Sequence, residues 1–110
     1  MRKGIQEFME DFRKDVGFFL THLKVVKNVS VHTLRNYKID LELFEIFCAE
    51  FLKTPLILGD VDKKLIRAYL ANLHANSAKK RTVLRRLSTL RSFFKYLLKE
   101  GKISKRGVFL

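Results

Sequence analysis

Between Asp62 and Glu100 the chain carries Lys63, Lys64, Arg67, Lys79, Lys80, Arg81, Arg85, Arg86, Arg91, Lys95 and Lys99, and no acidic residue. Ammonium and guanidinium groups at that density, with no carboxylate among them, suit the electrostatic capture of a polyanion. A generic solvated surface mixes the two signs. The imbalance is local. Residues 1–55 hold 9 Lys/Arg against 8 Asp/Glu, net +1, whereas residues 56–110 hold 14 against 3, net +11, together the +12 of the whole chain. Nucleic acid and an acidic membrane surface are the partner classes this charge admits.

Other chemistries find little material. Tyr37, Tyr69 and Tyr96 fall on apolar or mixed faces of the helices read below, so none is a credible nucleophile. His22, His32 and His74 are too scattered for a metal or acid/base site. Catalytic residues, cofactors, metals and a small-molecule substrate are therefore not expected. Cys48 is the one cysteine, which excludes an intramolecular disulfide and reads as a buried thiol. The opening Met1-Arg2-Lys3 is followed by Glu7, Glu10 and Asp11 rather than an apolar run, and no uncharged stretch approaches the length of a spanning helix. The expectation is a cytoplasmic protein without a membrane partner.

The elements that must position these cations read as helices. At 110 residues and 47% hydrophobic, with ten Phe, the chain has material for one core. Five Gly, one Pro and no strand alternation or hairpin dipeptide argue against a sheet. The predicted fold is all-α, a compact bundle of four helices over residues 1–100, with 101–110 as the start of a linker. Helix A, Ile5 to Lys27, puts Ile5, Phe8, Met9, Phe12, Val16, Phe19, Leu20 and Leu23 on one face. Phe18 and Val25 fall on the opposite face, as scattered surface apolarity or as a contact through which copies self-associate.

Asn28 stops that helix and Ser30 caps helix B, which runs to about Leu52. Helix B has two apolar stripes, Leu34, Tyr37, Leu41, Phe44 and Cys48 against Ile39, Leu43, Ile46 and Phe47, and is expected to be flanked on two sides. His32, Arg35 and Lys38 lie near its start and Glu42, Glu45 and Glu50 later, so only its N-terminal end suits phosphate. Lys53 to Gly59 is a connection. Asp62 caps helix C, Lys63 to Ala75, with Val61 and Ile66 placed as a hydrophobic staple, and Asn76-Ser77 breaks and recaps the chain. Helix D, Ala78 to Lys99, lines Val83, Leu87, Leu90, Phe94, Leu97 and Leu98 along one side. Arg81, Arg85, Ser88, Ser92 and Lys99 line the other, flanked by Arg91 and Lys95. Core packing accounts for the first side; a polyanion accounts for the lack of Glu on the second.

Two stretches together resemble the N-terminal core-binding, SAM-like domain of tyrosine recombinases and phage-type integrases, in particular the Xer branch. They are Ser30-Val31-His32-Thr33-Leu34-Arg35-Asn36-Tyr37-Lys38-Ile39-Asp40-Leu41 and Thr82-Val83-Leu84-Arg85-Arg86-Leu87-Ser88-Thr89-Leu90-Arg91-Ser92-Phe93-Phe94-Lys95-Tyr96-Leu97, with Val61-Asp62 and Ile66-Arg67-Ala68-Tyr69-Leu70 between them. The resemblance implies a four-helix head that clamps one side of a recombination half-site and presents helices B and D to the major groove of duplex DNA. It implies DNA contacts from Ser30, His32, Thr33, Arg35 and Lys38, and from Lys79, Lys80, Arg81, Thr82, Arg85, Arg86, Ser88 and Arg91. Tyr37 and Asp40 match family positions too, but their spacing with Leu34 and Leu41 favours a bracing role. In the family, DNA cleavage and rejoining belong to a following catalytic domain, so this chain is expected not to be an enzyme although its parent is. The runner-up is a helical interaction module whose basic helix docks on an acidic protein or an anionic membrane. A helix-turn-helix factor fits less well, because the short second and third helices and tight turn it needs are not evident.

Overall fold

A computed structural model describes residues 5–52 and 61–103, with side chains from Asp11 onward. Among them are four α-helices and no strand: α1 (Ile5–Val25), α2 (Val31–Phe51), α3 (Lys63–Ala75) and α4 (Lys80–Lys99). The all-α expectation holds. The side chains of Ile5, Phe8 and Met9, the connection up to Gly59 and most of the 101–110 linker lie outside the described residues. One compact unit contains α1 and α2, and a second contains α3 and α4.

In the first unit α1 and α2 pack on one another. The helical repeat brings Phe12, Val16, Phe19 and Leu23 of α1 inward, and Leu41, Phe44 and Cys48 of α2. Phe12 and Phe44 meet at 6.1 Å between ring centroids, and Phe19 meets the half-buried Tyr37 edge-on at 5.7 Å. Each fully buried apolar side chain contributes about 1.5–3 kcal/mol relative to exposure. Across this pair, Arg13 Nε donates to both carboxylate oxygens of Glu45 at 3.1 Å. Glu45 is buried, not part of an outward acidic run. Helix α1 ends at Val25, two residues before the expected Lys27, and Asn28 takes φ 52°, a left-handed conformation that Asn tolerates. The Val29 amide then donates to the Leu23 carbonyl at 3.1 Å, which turns the chain into the Ser30 cap.

The two apolar stripes expected on α2 separate. The Leu41, Phe44 and Cys48 stripe is buried, and Phe47 joins it from the second set, whereas Ile39 and Ile46 are exposed. Asp40 is 1% exposed, a placement that suits bracing rather than ligand contact. Burial pushes the Cys48 thiol up to about 12, with the nearby Glu45 carboxylate adding to the effect.

In the second unit Leu65, Ile66, Tyr69 and Leu73 of α3 and Thr89, Leu90, Phe93, Phe94 and Leu97 of α4 are buried. Asp62 accepts from the Leu65 amide at 3.0 Å, and Val61 and Ile66 on either side of that cap are buried as a staple requires. Ser77 departs from expectation. Instead of capping α4 it sits at φ 58° just past the end of α3, with its amide donating to the His74 carbonyl and the Ala78 amide to the Leu73 carbonyl, both at 3.0 Å. That arrangement satisfies the last carbonyls of α3 in the way a glycine usually does. Helix α4 consequently starts at Lys80, not Ala78, with Lys79 as its cap residue. At its other end Gly101 (φ 72°) closes the helix with the equivalent pair of bonds, Gly101 N–H to Leu98 O and Lys102 N–H to Leu97 O.

Candidate nucleic-acid interface

The buried Thr89, Leu90, Phe93, Phe94 and Leu97 fix the inward face of α4, and at about 100° per residue they determine what points outward. Arg81, Leu84, Arg85, Ser88, Arg91, Lys95 and Lys99 are exposed there, and no carboxylate shares that face. From Arg81 to Lys99 the cations extend over about 27 Å at the helical rise. Lys79 and Lys80, both exposed, open the helix, and the Lys79 side chain makes no capping hydrogen bond. Helices ordinarily place Ser, Asp or Glu at this end, where the macrodipole disfavours cations. Local rules are broken in this way at functional or strained positions.

Two of the residues expected to touch a ligand are less accessible than the others. Thr82 is half-buried. Arg86 is half-buried too, on the same meridian as Leu90, Phe93 and Leu97, and its Nε is enclosed without a hydrogen-bond partner. Only its terminal guanidinium nitrogens are left for an outside contact. Lys95 and Lys99 extend the outward row beyond Arg91, and Lys63, Lys64 and Arg67 are exposed on α3. Their charge, read along the chain, does not rank these five against the other cations.

At the start of α2, Ser30 Oγ accepts from the Thr33 amide at 3.1 Å and donates to Thr33 Oγ1 at 3.0 Å. The Ser30 hydroxyl is thus committed to the cap, while the Thr33 hydroxyl keeps its proton for another acceptor. His32, Thr33, Arg35 and Lys38 are all exposed, and Glu42 and Glu50 follow on the surface farther along. The cationic character of α2 is confined to its first turns. Among the described residues no group of three His, Cys, Asp or Glu is placed to hold a metal ion, and no helix is long and apolar enough to cross a membrane.

A family model for the phage integrase N-terminal SAM-like domain matches residues 16–101, which include α2, α3 and α4 entire. The chain belongs to this family. The SAM-like domain is similar to the tyrosine recombinase XerC of Syntrophus aciditrophicus, at 38% identity over 90 residues, covering 77% of this chain and 29% of the relative. Against the tyrosine recombinase XerC of Thermodesulfovibrio yellowstonii it is 44% identical over 85 residues, covering 77% and 26% respectively. Against that of Pelobacter propionicus it is 35% identical over 97 residues, covering 88% and 32%. The SAM-like domain therefore spans no more than about a third of the length of these relatives. No solved structure matches it.

Proposed function

We propose that this SAM-like domain binds duplex DNA as the N-terminal clamp of a site-specific tyrosine recombinase, with α4 and the first turns of α2 presented to the major groove. The observation that carries the reading is the outward face of α4, where Arg81, Arg85, Arg91, Lys95 and Lys99 are exposed without an acidic residue among them. Phosphate contacts from these groups supply affinity and orientation, and contacts to base edges supply sequence preference. Thr33, His32, Arg35 and Lys38 add donors from α2. Ser30 acts by holding the first turn of that helix in shape, and Arg86 reaches DNA only through its terminal guanidinium nitrogens. Strand cleavage and rejoining we assign to the part of the relatives' length that this chain does not match. A DNA-associated, cytoplasmic location follows from the same reading.

The test is a titration of the chain against random duplex over a range of salt concentrations. Each phosphate neutralised contributes about 0.9 to the slope of log affinity against log salt. Five or more phosphates neutralised by α4 and α2 predict a slope of about −4.5 or steeper. A flat dependence refutes the reading, and retention on anionic vesicles in preference to duplex DNA favours the membrane-docking alternative.

A further inference from the structure

Leu84 is the exception on the outward face of α4. Its side chain is 55% exposed, while the other large apolar residues of the helix are buried or half-buried. Its neighbours one helical turn away are Arg81 and Ser88, with Arg91 a turn further, all exposed. Leu84 and Ser88 therefore lie within the row of cations rather than at its edge.

We infer that Leu84 reads thymine, its isobutyl group packing against the C5-methyl group on the major-groove edge of T·A pairs while the flanking arginines hold the phosphates. This rests on the DNA-binding reading above. In the major groove the thymine methyl is the one apolar feature a base pair displays, and apolar side chains are what recognise it. An exposed Leu inside a row of guanidinium groups matches a polyanion whose groove carries methyl groups. The other possible occupants fit less well. A second copy presenting the same α4 face would bring like charges together, which is repulsive. A membrane surface needs a broad apolar face on the docking helix, and Leu84 alone is not one. An acidic protein would satisfy the arginines but needs an apolar pocket for this one side chain, and that becomes an outcome of the test.

Selection of a random duplex pool on the 110-residue chain, followed by resynthesis of the enriched duplexes with deoxyuridine in place of thymidine, removes the methyl groups and keeps base pairing. The expected result is enrichment of T·A pairs and an affinity about fourfold lower for each contacted methyl removed. Leu84→Ala should bind thymine and uracil duplexes equally while keeping its salt dependence and its helical circular dichroism, since Ala is a better helix former at an exposed position. Binding by the unaltered chain with no T·A enrichment, or with equal affinity for both duplexes, overturns the assignment of Leu84 and leaves DNA binding standing. Discrimination that persists in Leu84→Ala assigns methyl reading to another residue and equally overturns it. Failure to bind either duplex removes the DNA reading itself, and capture by an acidic protein that is abolished in Leu84→Ala replaces thymine as the occupant.

Discussion

Replacing Arg81, Arg85 and Arg91 with Gln separates a positioned row of charge from charge in bulk. All three side chains are exposed on α4, and Gln keeps a long polar side chain of good helix propensity, so the helix should persist. Without three arginine–phosphate pairs, worth about 0.9 each, the magnitude of the salt slope falls by about 2.7. Between about 50 and 200 mM salt, a fourfold change, the unaltered chain should thus lose about 40-fold more affinity than the variant. The control removes the same formal charge from Lys14, Lys24 and Lys27, which are exposed in the first unit where acidic residues nearly balance the basic ones. Arg13 is unsuitable for that control because it holds Glu45. The control should change the slope by well under one unit. Affinities would be measured by fluorescence anisotropy with one labelled duplex, with circular dichroism as the check on folding. Equal reductions in slope for the two variants would show that net charge, not the α4 row, drives binding, and the major-groove placement would be withdrawn.

Four further outcomes are expected. Ser77→Gly should raise stability in urea by about 0.5–1 kcal/mol, because relief of a left-handed φ that costs a side-chain-bearing residue about 1–2 kcal/mol outweighs the extra chain entropy of glycine, about 0.5–1 kcal/mol; a decrease would show the turn to be held by the Ser side chain. Arg13→Ala should destabilise by about 1–2 kcal/mol, less than a fully buried pair would give because the Arg13 side chain is 63% exposed, while a joint Arg13→Met, Glu45→Leu change should recover most of that stability. Changing Phe18 and Val25, 52% and 71% exposed, to Ser and Thr should leave folding and single-site binding intact and reduce cooperative occupancy of paired sites, which gel shifts on one-site and two-site duplexes would reveal; unchanged cooperativity would refute a contact between copies through this face. Cys48 should resist iodoacetamide in the folded chain from pH 7 to 9 and react once urea unfolds it, since the thiolate is disfavoured until about pH 12, and for the same reason stability should fall as pH rises from 9.0 toward 12.

The helices are legible because each has a periodic apolar face and two of the four have a recognisable start. Ser30 and Asp62 cap α2 and α3 as their types predict. What escapes a reading of the residues depends on distance in the chain or on small rotations of a helix. Glu45 reads as one more surface acid until α1 brings Arg13, 32 residues away, to its carboxylate. Phe93, fully buried, falls outside the inner face predicted for α4, and Thr89 with it, because the Val83, Leu87, Leu90, Phe94 and Leu97 pattern fits a helical repeat without them. Rotating the inner face toward Phe93 also turns Arg86 inward, which charge alone does not anticipate. Ser77 resembles a cap because Ser usually is one; backbone geometry at the end of α3 gives it the role of a left-handed residue instead. For the interface, the outward row on α4 is evident from the missing acids, but the separate placement of Leu84 depends on knowing which apolar residues the fold leaves outside.

The bare start of α4 has a consequence for anyone who would make this domain sturdier. A Ser or Asp in place of Lys79 would supply the missing acceptor and typically adds about 1 kcal/mol. Yet the position belongs to the cluster Lys79, Lys80 and Arg81, where a new carboxylate would face the same phosphates that the lysine meets in the proposed complex. In the proposed complex the simplest route to thermostability therefore runs through the DNA-facing surface, and improved melting behaviour would come with weaker hold on DNA. If the proposed complex forms, screening variants by heat resistance alone would select against the cations at this helix end.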